Sequence, residues 1–386
     1  GRTEEVRMEK MQEEKKVDYI ELFFDLIFVY TFRTVNALVT HGDRFPSLSK
    51  MALFYFLLLV ALQIWYLTTM YYNRFGRRSF LDYGSLLLNM YFLFYMGTSM
   101  EKAFLEHYTR YHLAFAAVFF NLAHLCYRRS KECNEPSGIL VLRTDFRNFF
   151  LEAVLVLLSI PFYYHFGLIL SPIALLFGYI ARFFMLNIFS KKMVDFAHLS
   201  ERALLLVILT FGESIISISS YFHHEKNFFF NISSFAIVVG MFLHYAFFYD
   251  NVLNHKRSST GQCYILLHVL FILCLNTITV AFELFIKAEK YFLPSTVLFA
   301  LALLGFYACL LGMNHYAKPI YQSHGTLIKV GIVLMALYIL SEYLYMDNPL
   351  RVSEITTMYV YTNLFVSVYL YLKKTGKRFV IGHDID

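Results

Sequence analysis

The chain has 386 residues, of which 58% are hydrophobic, 19% aromatic and 16% charged. A soluble domain carries about a quarter charged residues, so this composition excludes an ordinary water-soluble fold and points to a protein that lives in lipid. The net charge of +6 lies in short stretches between apolar runs, where it reads as a topology signal and not as a nucleic-acid footprint. Five cysteines without a CxxC pair or ligand spacing read as reduced apolar fillers, so neither a disulfide framework nor a metal site is expected.

In chain order, residues 1–17 form a charged segment with no apolar h-region, expected to be a cytoplasmic extension and not a cleaved signal peptide. The first apolar run, VDYIELFFDLIFVYTFR, carries Glu21, Asp25 and Arg33. A charge at the centre of such a helix costs about 2.5–3.5 kcal/mol on insertion scales. Glu21 and Asp25 are four apart and share one helical face.

Apolar runs near the twenty residues needed to cross a bilayer are predicted at 19–40, 48–72, 80–100, 108–127, 147–168, 171–190, 199–222, 228–253, 261–286, 292–316, 325–346 and 352–372. Between them lie charged or Gly/Pro-containing separators, the longest being the stretch from Arg128 to Arg147. With twelve spans, 24 of the 34 Lys and Arg residues fall on the side of both termini and 8 on the other, Arg33 and Arg182 being inside spans. The positive-inside bias then places both termini in the cytoplasm.

An offset of about 180 residues superposes the two halves: Glu21 falls on Glu201, Asn89 on His268, and Lys191-Lys192 on Lys373-Lys374. The expected fold is therefore an all-α integral membrane protein with about twelve transmembrane helices, built as two six-helix parallel repeats related by a pseudo-twofold axis along the membrane normal. Its parts are 1–17, a first repeat at 18–192, a second at 193–374, and a cytoplasmic tail at 375–386. At this offset Arg33 corresponds to Glu213, each about 18 Å along its helix from the paired glutamates, so the two are expected to pair across the axis and close the outer half of a pathway.

Other ionisable residues fall inside the predicted spans: Asp82, His124, Glu152, Arg182, Asp250 and His268. Intramembrane charges face the bundle interior and pair, so a network of Asp25, Arg182, Asp250 and His268 is expected. The plainer reading is a set of satisfied ion pairs fixing helix packing. For Glu21, Glu201 and Arg202 the plain reading is capping or snorkelling at the interface. His223-His224-Glu225 reads as a solvated outer loop.

No phosphate loop, GxGxxG, HExxH or GxSxG is present, and no extramembrane stretch is long enough for a soluble domain. The residues quoted resemble the bacterial low temperature requirement A family. That resemblance rests on Glu21 to Val29, ELFFDLIFV, and on Ala197 to Arg202 leading through an apolar helix to Gly212-Glu213-Ser214. It extends to Tyr71 to Phe75, to Phe248-Tyr249-Asp250, and to His268 through Glu283. Leu199 after His198 and Phe282 before Glu283 depart from the family pattern. The resemblance implies a polytopic protein of the bacterial plasma membrane, linked by name to growth in the cold, and implies no particular activity.

The function expected is that of a secondary transporter or channel-like carrier. Its proton, ion or small-solute pathway would be lined by Asp25, Arg33, Arg182, Glu213, Asp250 and His268, with Glu21, Asn73, Glu152, Glu201 and Glu283 in support. The alternatives are a lipid-handling protein or enzyme acting on headgroups near the cytoplasmic interface, and a structural or sensory membrane protein without turnover. No catalytic residue and no cofactor is expected. The expected partners are the bilayer and an ion, polar solute or lipid headgroup, with no nucleic acid; a homo-oligomer is compatible with this reading.

Overall fold

The computed structural model describes residues 17–42, 45–100, 104–223, 228–287, 292–321 and 325–376. Residues 1–16, the tail beyond 376 and the side chains of His223-His224-Glu225 lie outside the described residues. Among those described, twelve α-helices of 15 residues or more follow one another: α1 Tyr19–Thr40, α2 Leu48–Phe75, α3 Phe80–Met100, α4 Tyr108–Glu132, α5 Pro136–Phe166, α6 Leu170–Phe184, α7 Phe196–Ser219, α8 Phe228–Phe247, α9 Gln262–Lys287, α10 Phe292–Met313, α11 Gly325–Tyr345 and α12 Pro349–Thr375. A π-turn at Phe248–Val252 extends α8.

Nine of these helices, α8 with its π-turn included, are long and apolar enough to cross a membrane; α3, α4 and α6 fall outside that class. The last turns of α4 carry Arg128, Arg129, Lys131 and Glu132, and α6 has 15 residues, about 22 Å at helical rise. The protein is an all-α, multi-pass membrane protein. Its outward apolar side chains, such as Phe184, Ile332 and Leu344, suit contact with lipid.

One predicted boundary is corrected. The stretch from Arg128 to Arg147, expected as a long loop, is nearly all helix: α4 runs to Glu132 and α5 begins at Pro136. Its charges masked a standard start signal. Pro136 occupies the first helical turn, where its missing N–H costs nothing and its fixed φ favours the helix. Asp145 is thereby drawn inside α5 and buried.

By compactness the described chain forms two units. Unit one comprises the described residues within 1–31, 59–206 and 255–265; unit two comprises those within 32–58, 207–254 and 266–386. This is a different division from the two predicted repeats, and α1, α2, α7 and α9 each supply residues to both units. Within unit one, α3, α4, α5 and α6 pack successively, and the second half of α2 buries Trp65 and Tyr66 completely. Within unit two, α12 packs along α8 and α11. Gly240 lets α8 come close, since a Cβ there would meet Val360 Cγ1 at 2.6 Å; small residues serve this purpose between membrane helices. By contrast α11 buries Gly331, Tyr338 and Glu342 alone of its 21 residues.

Candidate functional site

In unit one, the first turns of α1 and α7 bring four ionisable side chains together. Glu21 lies in the opening turn of α1, where the Asp18 N–H donates back to Glu21 Oε2 at 3.1 Å and the Glu21 N–H donates to the Asp18 carbonyl at 3.0 Å. One turn on, Asp25 lies on the same face with no solvent exposure. On α7, His198 and Arg202 repeat the four-residue spacing. Arg202 donates from Nε and Nη2 to the two oxygens of Asp25, at 3.0 and 2.6 Å. Its Nη1 lies 3.0 Å from Glu21 Oε1, an ionic contact outside hydrogen-bond alignment. Trp65 of α2 donates to Asp25 Oδ1 at 3.1 Å. Both partners of the main pair are thus held by directed bonds, as buried charges require.

The tautomer of His198 follows from its neighbours. Asn73 Nδ2 donates to the Asp195 carbonyl at 2.8 Å and lies 3.0 Å from His198 Nδ1. Turning the amide would set its oxygen against that carbonyl, so Nδ2 donates to Nδ1 as well. Nε2 therefore carries the hydrogen and donates to Glu21 Oε2, 3.1 Å away. With this neutral imidazole, two carboxylates face one guanidinium. One proton or one small cation brings the four side chains to neutrality.

Both cross-helix contacts, Glu21 to His198 and Asp25 to Arg202, join residues 177 apart in sequence. The helices themselves begin at Tyr19 and Phe196. Counted from the two helix starts, matching positions on α1 and α7 therefore touch one another, and the two helices run parallel here.

Arg182, expected near Asp25, instead pairs with Asp145 of α5: Nη1 lies 2.7 Å from Oδ1, and the guanidinium stacks over Phe149 at 5.1 Å. Glu152 is buried beside Gln63 of α2, whose amide also donates to the Leu175 carbonyl at 3.1 Å. Gly178 of α6 makes this possible, because a Cβ there would overlap Gln63 Nε2 and both Glu152 oxygens. Gly178→Ala should therefore destabilise the protein by about 1–3 kcal/mol, the usual cost of overpacking, read as a lower thermal unfolding temperature in detergent. Glu201, expected to align with Glu21, is only half-buried.

In unit two, Glu213 of α7 is buried and its Oε2 has no hydrogen-bond partner. The charges acting on it are Arg33, which attracts, and Glu283, which repels. The expected Arg33–Glu213 ion pair is not among the contacts within 4 Å of the described residues. Arg33 is exposed, since its long stem carries the guanidinium outward while the shorter glutamate stays inside. Glu283 of α9 accepts from Ser217 at 3.0 Å, and Ser214 and Thr279 hydroxyls meet at 2.6 Å. This acidic pair sits in a hydroxyl-rich stretch between α7 and α9.

Two other expected pathway residues have different settings. Asp250 lies on the π-turn and is exposed. His268 is fully buried, its Nε2 2.8 Å from the Tyr245 hydroxyl. The residues missed from sequence are His198, Arg202 and Asp145. The signal for the first two was present: an i, i+4 His/Arg pair whose spacing complements Glu21 and Asp25.

No curated protein and no solved structure matches the chain. The model of the family described as "Bacterial low temperature requirement A protein (LtrA)" matches residues 16–372, covering α1, α7 and both clusters, so the chain belongs to the LtrA family.

Proposed function

We propose that this protein is a proton- or cation-coupled secondary transporter or channel-like carrier of the bacterial plasma membrane. The observation that carries this reading is the cluster of Glu21, Asp25, His198 and Arg202. It holds two carboxylates against one guanidinium, with His198 kept as a neutral donor by Asn73. A buried group one positive charge short of neutrality suits reversible uptake of a proton or small cation. Glu213 and Glu283, with Arg33 as the nearby cation, offer a second acidic step farther along α7. Asp25 and Arg33 are eight residues apart on α1, about 12 Å at helical rise.

The reading includes twelve membrane crossings with both termini in the cytoplasm, and two six-helix repeats. Supporting the repeats, α7 begins at Phe196 as α1 does at Tyr19, α8 at Phe228 as α2 does at Leu48, and α9 at Gln262 as α3 does at Phe80. Contact between matching positions of α1 and α7 is what a twofold axis passing between them would produce.

Purified protein in liposomes, assayed for pH-gradient-driven flux across a panel of cations and polar metabolites, tests the function. Flux is expected with wild type and is expected to fall with Asp25→Asn. Absence of flux throughout the panel, or flux unaltered by that substitution, would retire the reading.

A further inference from the structure

Unit two contains a cavity of about 350 Å³ that none of the groups above uses. The C-terminal parts of α8, α10 and α12 and the N-terminal half of α11 enclose it. An engineered cavity of about 150 Å³ is enough to hold benzene, so this one admits a substituted ring with the start of a tail. Along α12 the lining extends from Asn363 to Lys374, about 16 Å at helical rise, which makes the space a slot with two distinct ends.

The ends differ in chemistry. The mouth carries Lys373 and Lys374, both exposed, and these are the only charged residues among the described lining. At the other end His244 of α8 and Tyr307 of α10 are each more than nine-tenths buried, their ring centroids 5.6 Å apart. His244 Nδ1 and the Tyr307 hydroxyl have no hydrogen-bond partner among the described residues. Behind them Tyr359 of α12 meets the Tyr307 ring edge to face at 5.2 Å, and its hydroxyl is unpartnered too. A buried polar atom left unpaired in a membrane protein is costly. A ligand that brings its own oxygen to this end removes that cost.

That oxygen must belong to an uncharged group. A charged head here would leave water without a counter-ion, because both lysines lie at the far end of the slot. The walls favour a flat head. Phe247 and Phe248 follow His244 at i+3 and i+4 on α8, so the three rings share one helix face, and all three line the slot. Such a wall packs well against another ring. The occupant is also a molecule of the bilayer. The wall formed by α11 is the least enclosed of the nine helices of membrane-crossing length, with 17% of its apolar stretch buried, so one side of the cavity is bounded by a helix that itself faces lipid.

We infer that this cavity binds an isoprenoid quinone, its ring against the aromatic face of α8, a ring oxygen at Tyr307 and His244, and its tail running toward the mouth past Leu327 and Leu370. A quinone carbonyl accepts from the Tyr307 hydroxyl and from His244 in its Nδ1–H tautomer. In the reduced form the ring hydroxyl accepts from Tyr307 and donates to Nδ1 of the other tautomer. The pair therefore suits both oxidation states. A phospholipid would either carry its charge to the deep end or leave the deep atoms unmet. The site stands apart from the transport reading and does not depend on it.

The test is binding of a short-tailed ubiquinone and a short-tailed menaquinone to the purified full chain in detergent, counted by native mass spectrometry. Wild type should retain at least one of them in a near one-to-one ratio. Tyr307→Phe removes a single oxygen and should weaken binding by about tenfold, the effect of one lost hydrogen bond. Thermal stability of that variant should hold or rise, which a purely structural hydroxyl would not combine with lost binding. Leu334→Phe narrows the slot and should weaken binding in the same way. Lys373→Glu/Lys374→Glu should leave binding unchanged, because the lysines sit away from the ring. Dodecanol, which offers a hydroxyl without a ring, should displace the quinone at least about tenfold less well than a second quinone does. Retention of neither quinone by wild type, binding unaffected by Tyr307→Phe, loss of binding in the lysine variant, or equally ready displacement by dodecanol would each overturn the proposal. Quinone retention is read without any flux measurement, so failure of this site and failure of the transport reading remain distinguishable.

Discussion

Arg202→Met is expected to be among the most damaging single substitutions in this chain, costing about 3–5 kcal/mol of stability, as breaking a buried ion pair by removing one partner does. Arg202 is 1% exposed and is the cation in contact with both Glu21 and Asp25. Without it two carboxylates lie within one turn of each other on α1, held by Trp65, His198 and the Asp18 N–H alone. Arg202→Lys should recover only part of the loss, since a single ammonium cannot reproduce the two-pronged contact with Asp25 and the third contact with Glu21. The decisive measurement is a double-mutant cycle in detergent. Adding Asp25→Asn to Arg202→Met should restore a substantial share of the lost unfolding temperature, because the unpaired charge goes with it. Additive losses would show that the two side chains act independently and that the short Asp25–Arg202 contact is energetically idle.

The second large effect is expected in flux and not in stability. Glu213→Gln removes a buried carboxylate whose Oε2 has no partner and that is repelled by Glu283. The amide fits the same space without a charge to desolvate, so thermal stability should hold or rise. If the acidic pair is a proton or cation step, gradient-driven flux should fall by about tenfold or more, as expected when an intramembrane ionisable group on a pathway is neutralised. Glu283→Gln should behave similarly but more mildly, because Glu283 already has a hydroxyl partner in Ser217. Intact flux in a stable Glu213→Gln protein would assign Glu213 to packing and move the transport reading onto the α1–α7 cluster alone.

The two expectations differ in kind because the two groups differ in satisfaction. The Asp25–Arg202 pair is held by two directed bonds between its partners and a third from Trp65, so its removal is read first in folding. Glu213 carries an oxygen with nothing opposite it, so its removal is read first in activity. Gly178 belongs with the former: its missing side chain is the space in which Gln63 and Glu152 meet.

Lipid solubility and helix positions were legible in the sequence itself, because both rest on local quantities. Runs such as ELFFDLIFVYTF and LALLGFYACLLG would expose too much apolar surface to stay in water, and the backbone in lipid has little choice but helix. Asp25 and Glu213 were equally conspicuous, since an acid in an apolar run stands out at any register. Their partners were not. Arg202 sat at a helix start and read as capping or snorkelling at the interface, and Asp145 sat among Arg143 and Arg147 and read as loop. Both are buried, because partner choice depends on which faces α1, α5, α6 and α7 turn toward one another, a property of packing that no local pattern contains. The same reason separates Arg33 from Glu213: contact between α1 and α7 does occur, but one level away from the expected pair, at Glu21 with His198 and Asp25 with Arg202. Periodicity specifies which residues share a helix face. Only the tertiary structure decides which face meets which, and with it whether a buried acid is neutralised by a partner or left with an open oxygen.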